Sequence, residues 1–119
     1  MTIPEYFYCE NKKALPGAGL ILHTAPPCHI AKVFRFDNRE EMEYFINKYE
    51  LKDKCGKVAG YYILLCHIGN IDRVQEYPIR GSGITDKVIS ILKMMASFYY
   101  EEKIINNETR LKKHKEQAQ

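Results

Sequence analysis

The tightest constraint on this chain lies in residues 85–100, TDKVISILKMMASFYY. The polar residues Asp86, Ser90, Lys93 and Ser97 recur at spacings of four, three and four. On a helix of 3.6 residues per turn they draw one thin stripe. The rest of the segment from Val88 to Tyr100 is apolar or aromatic. That apolar arc is wider than a helix lying on a single sheet needs, so cover on two sides is expected. In a chain of 119 residues the simplest second cover is another copy of the protein, which predicts a homo-oligomer paired through residues 88–100. The alternative is that another helix of the same subunit lies across it.

The stretch before this helix, YPIRGSG, ends an extended segment at Ile79–Arg80 and turns the backbone at Gly81, Ser82 and Gly83 before a helix beginning near Thr85. The first N–H groups of a helix have no partner within it, they carry the positive end of the macrodipole, and small residues let an anion approach. The expected ligand therefore bears phosphate, as a nucleotide-type small molecule or nucleic acid. It would be held by the amides of Gly81, Ser82 and Gly83, by Arg80, and by Thr85 and Lys87 in the first turn. Arg73 and Tyr77 on the preceding strand would add charge and stacking. The plainer reading is connection chemistry, with Thr85 or Ser82 capping the helix.

The remaining segments predict an α+β domain spanning residues 1–119. Tyr6 to Cys9 reads as a short strand or an arm, Leu20 to His23 as a strand closed by Ala25-Pro26-Pro27, and His29 to Phe36 as a strand with one wet face. Asp37 and Asn38 are N-cap residues with Glu40 and Glu41 three positions on, and Met42, Phe45, Ile46 and Tyr49 follow at i, i+3, i+4 and i+7. That is a one-sided amphipathic helix. Ala59 to Ile68 reads as a central strand, Gly69-Asn70 as a hairpin turn, and Ile71 to Ile79 as its antiparallel partner, with Pro78 demoting its end to an edge. The expected order is ββαββα, a mixed or mainly antiparallel sheet of four to five strands carrying two helices, the second long. The basic end at 107–119 is expected to fray.

Hydrophobic residues make up 45% of the chain, with nine Tyr and five Phe, a composition of folded domains. No run of about 20 apolar residues and no leader pattern is visible, so no membrane partner and a cytoplasmic location are expected. Net charge is only +3, which argues against a dedicated nucleic-acid binder. Cys9, Cys28, Cys55 and Cys66 form no C-x-x-C pair and read as reduced thiols. Cys-His-Ile occurs twice, at residues 28–30 and 66–68. Two Cys and two His suit zinc by type, but on strands each Cys points away from its neighbouring His, so neither metal nor cofactor is expected; Cys reads as inward and His as sitting at a strand rim.

Catalytic patterns are sparse. No G-x-S-x-G, H-E-x-x-H or Walker-type loop is present. Tyr99 and Lys103 share a helical face, an arrangement that resembles the Tyr-x-x-x-Lys of single-tyrosine DNA nickases and replication initiators, without the paired histidines that hold their metal. Lys32, Phe34, Arg35 and Phe36, with Arg73, Gln75 and Tyr77, would make a stacking platform for nucleic acid if exposed. A non-catalytic binding protein is the leading expectation. An interaction module or inhibitor acting through an aromatic-rich face is the alternative, and a tyrosine nickase the third reading.

Overall fold

The computed structural model describes residues 4–10, 19–26 and 28–105. Six strands, β1 (Tyr6–Glu10), β2 (Gly19–His23), β3 (His29–Arg35), β4 (Gly56–Lys57), β5 (Ile63–Asn70) and β6 (Arg73–Val74), form one sheet. Its order is β1-β2-β3-β5-β4 with β6 also on β5, and every pairing is antiparallel. Helix α1 (Arg39–Lys48) separates β3 from β4. A 3-10 turn (Gly81–Gly83) leads into α2 (Asp86–Tyr99), which runs on as a π-helical segment (Tyr100–Ile105).

The α+β class and the long second helix match expectation, while the order is βββαβββα among the described residues. Two strands account for the difference. The N-terminal aromatic stretch is a paired strand, with Tyr6 opposite His23 and Tyr8 opposite Ile21. The polar segment after α1 contributes β4, because Gly56 and Lys57 reach the free edge of β5. The expected strand at 71–79 shrinks to Arg73–Val74. Its turn falls at Ile71-Asp72, two residues later than expected, since Gly69 and Asn70 already pair with Val74 and Arg73. The basic end at 107–119 lies outside the described residues.

Helix α1 begins as its residues dictate. The Asn38 carboxamide accepts from the Glu41 N–H at 2.9 Å, and the N–H of Asp37, the residue before the cap, donates back to the Glu41 carboxylate at 3.3 Å, a variant of the capping box. Phe45 meets Phe34 and Phe36 with ring centroids 4.8 and 5.1 Å apart, which places α1 on the sheet face bearing the even-numbered residues of β3. The odd-numbered ones, His29, Ala31, Val33 and Arg35, face α2, where Arg35 donates to the Tyr99 hydroxyl. α2 thus lies across one face of the sheet, and α1 covers part of the other at the end of β3.

Helix α2 lies across the sheet and touches all of β1 to β5. Val88, Ile89, Ile91, Leu92, Met95, Ala96 and Tyr99 are buried, and Phe98 stacks on Tyr6 at 5.9 Å. A twisted sheet that wraps a helix covers a wider arc than a flat one, and here five strands of one chain supply it. Pairing through residues 88–100 therefore loses the premise from which it was expected; of the large side chains, Met94 and Tyr100 keep substantial exposure, 56% and 37%.

Helix and sheet come close at Gly56, where an added methyl would press into the backbone carbonyl of Leu92. Gly56→Ala is expected to cost about 2–3 kcal/mol by overpacking. The exposed Ser97→Ala should stay within about 0.5 kcal/mol of the parent. Urea unfolding checks both, and equal stability of the two variants would contradict this packing.

Candidate functional site

The glycine–serine turn is built largely from its own backbone. The Gly81 N–H donates to the Tyr49 carbonyl at 3.0 Å, Gly83 to Arg80 at 2.9 Å and Ile84 to Gly81 at 3.1 Å. Gly81 is buried because its α-carbon abuts the Glu50 carbonyl, leaving no room for a side chain. Thr85 caps α2, its hydroxyl accepting from Val88 N–H at 3.4 Å. Arg80 turns away to donate to the Lys48 carbonyl at 3.3 Å, with the Glu50 carboxylate 3.6 Å distant. Tyr77 stacks on Tyr49 at 6.2 Å, Arg73 is exposed on β6, and Ser82, Gly83 and Lys87 face outward. Arg80 and Tyr77 thus reach the end of α1, while Ser82, Gly83, Thr85 and Lys87 are exposed near the start of α2.

The other expected sites are also placed. Tyr99 is 2% exposed and its hydroxyl is held by Arg35, so a phosphodiester has no open path to it. Lys103 sits over the Tyr8 ring, 4.4 Å from its centroid. Phe34 and Phe36 are half-buried under Phe45, which removes them as a stacking platform for bases.

The structure draws together a set of residues that the periodicity kept apart. In the β3–β5 ladder Ile30 pairs with Gly69 and Ala31 with His67, so Ile68 is one residue more than β3 can match. A bulge of this kind resets which face the following residues occupy. His67 and Asn70, three apart and on opposite faces of a regular strand, both come to the α2 side beside His29. His29 Nδ1 lies 3.1 Å from His67 Nε2 and 3.1 Å from Asn70 Oδ1. On the same face of β2, His23 Nε2 is 2.9 Å from the Glu5 carboxylate. All three imidazoles are buried. The repeated Cys-His-Ile was the visible signal, but the rim position expected for its histidines is corrected: each is 7% exposed. Cys66 does point away from His67, toward the α1 side, as alternation requires.

The hydrogen bonds set the proton positions. A carboxamide oxygen only accepts, so the contact between His29 Nδ1 and Asn70 Oδ1 puts a hydrogen on Nδ1, which His67 Nε2 shares as a second acceptor. In the neutral ring Nε2 then carries a lone pair. Among the described residues this Nε2 is the buried side-chain nitrogen or oxygen atom with no hydrogen-bond partner. His29 also lines a cavity of about 140 Å³ with His23, Cys28, Leu22 and Ile71. Burial holds the His29 ring below the ordinary imidazole value, and the charges of His23 and Lys87 push the same way against the Asn70 contact. Burial likewise lowers His67, with His29 opposing its charge. Both rings are therefore neutral at pH 7. Among the described residues, no three His, Cys, Asp or Glu side chains converge as metal ligands.

The neutral pair ties stability to pH. Both folded rings titrate below 6.5, so as pH falls the unfolded chain takes up protons first. Their contribution is complete above about 6.5 and drains away as pH drops through that value toward the lower folded ones. Thermal unfolding between pH 8 and pH 5 should show this fall, and the double variant His29→Gln, His67→Gln should flatten it. An unchanged slope in the double variant would assign the effect to other groups.

No protein-family model, no curated protein and no solved structure matches this chain, so its functional reading rests on the geometry of residues His23, His29, His67 and Asn70 and the cavity beside them.

Proposed function

We propose that this chain is a small, non-catalytic binding protein whose ligand enters the cavity beside His29. One observation carries the reading: a buried imidazole nitrogen, held as a bare acceptor by its neighbours, lacks a partner next to a cavity. Leaving such an atom unsatisfied costs about 1–3 kcal/mol, and a ligand donor would recover part of it. Cavities of roughly 150 Å³ accept a molecule the size of benzene. Leu22, Ile30 and Ile71 supply apolar wall. The ligand class is therefore a compact, largely apolar molecule carrying one hydroxyl or N–H donor.

The phosphate-bearing ligand expected at the glycine–serine turn is the less supported reading. Of the amides expected to hold it, those of Gly81 and Gly83 have internal partners, and Arg80 donates to the Lys48 carbonyl. Neutral histidines beside an apolar wall also favour an uncharged ligand over an anion.

Phenol and toluene, matched in shape and differing by one donor, test the reading by NMR titration of the His29 ring signals. Phenol is expected to bind roughly three- to tenfold more tightly, the effect of one hydrogen bond. His29→Leu should erase that preference, and Ile71→Trp, at an exposed wall position, should weaken both ligands. Equal affinity for the two in the parent protein, or signals moved by inorganic phosphate at Ser82 and Lys87 and by neither aromatic, would overturn it.

A further inference from the structure

The buried thiols on the other face of the sheet belong to no part of the histidine site. β4 pairs with β5 through Gly56 opposite Leu65 and Lys57 opposite Leu64. One step further in the same register sets Cys55 opposite Cys66. Directly opposed residues of an antiparallel pair have Cα atoms about 4.5–5.5 Å apart, inside the window of roughly 4.4–6.8 Å that a disulfide spans. Cys55 is 4% and Cys66 0% exposed, and both belong to the main core. The two sulfurs lie near enough for each thiol to shift the other's titration, and both are free thiols.

We infer that Cys55 and Cys66 form a redox-active dithiol that a peroxide closes into a cross-strand disulfide within one molecule. The two sulfurs have different roles. The Cys66 thiol beside it and the Lys57 charge favour the Cys55 thiolate against burial and the Asp53 carboxylate, while Cys66 is pushed well up by the neighbouring Cys55 and by its deeper burial. Cys55, 4% exposed beside the turns and bends at 52–55, is the sulfur a peroxide reaches first and attacks it, and the fully buried Cys66 is the resolving one. The Cys55 thiolate attacks one peroxide oxygen, the O–O bond breaks, and the departing hydroxide takes up a proton to become water, leaving a sulfenic acid. The Cys66 sulfur then attacks the Cys55 sulfur and the S–O bond breaks. The second hydroxide leaves with the Cys66 proton as water. Two thiols are oxidised to one disulfide, and one hydrogen peroxide is reduced to two waters.

The position on the sheet gives the peroxide its way in. β4 has two residues, lies at the sheet edge and follows a run of turns and bends at 52–55, so it opens at lower cost than the central strands. Once formed, the bond closes a short loop and pins this edge, which carries Gly56 against α2. The midpoint of thermal unfolding should rise by roughly 5–15 °C.

Hydrogen peroxide applied to the folded Cys9→Ser, Cys28→Ser variant, followed by thiol titration and peptide mapping, tests this. The expected result is joint loss of both thiols, a linked Cys55–Cys66 peptide in the monomer, and reversal by dithiothreitol. Adding Cys66→Ser should stop the reaction at a Cys55 sulfenic acid that dimedone traps. If the background variant does not fold, peptide mapping of the oxidised parent chain reads the same linkage. Two titratable thiols after a treatment that oxidises the exposed Cys9 of the parent, or a linkage between different molecules, would overturn the inference.

Discussion

One extra residue in β5 determines where the polar chemistry of this molecule collects. β3 and β5 are the central pair of the sheet, and their ladder would be regular if Ile68 had a partner. Because it has none, the strand shifts by one, and His67 and Asn70 both turn toward α2. His29, on the facing strand, meets the two at 3.1 Å each. The bulge also aims the strand end at Gly69, whose φ of +144° suits glycine, and lets β6 fold back within two residues.

The energetic consequence is a pair of buried imidazoles that remains neutral. A buried imidazolium would cost desolvation and would face a second imidazole and the Lys87 ammonium. Asn70 offsets part of this by accepting, which fixes the tautomer of His29. The cost reappears as one orphaned acceptor. Buried polar atoms without partners are uncommon in folded proteins, and one beside a cavity is where a ligand gains most from a single donor. The opposite sheet face carries its chemistry as sulfur at Cys55 and Cys66, so the two sites are separated by the sheet and differ in what they react to.

The elements set by local rules were readable in the chain. Asn38, Glu41 and the spacing of Met42, Phe45 and Ile46 define α1, and the apolar run after Thr85 defines α2, because caps and periodicity act within a few residues. What long-range pairing decides was not readable. Gly56 and Lys57 look polar and loop-like, yet join the sheet because the edge of β5 is open to them. Tyr6 to Glu10 needs β2 to be a strand. The histidine cluster was hidden most fully, since the repeated Cys-His-Ile was visible while the shift that unites its two histidines depends on a register no local pattern records. The width of the α2 apolar arc was read correctly, but its cover comes from the wrap of five strands, which is a property of the whole sheet.

The central claim is that His29 stands neutral at pH 7, with its hydrogen on Nδ1 and a lone pair on a buried Nε2. Long-range proton–nitrogen correlation NMR of the chain with ¹⁵N-labelled histidine reads this directly, because protonated and bare ring nitrogens give separate signatures. The account predicts a protonated Nδ1 and a bare Nε2 for His29 in the ligand-free protein. A hydrogen on Nε2 with Nδ1 bare, or an imidazolium carrying both, would contradict it.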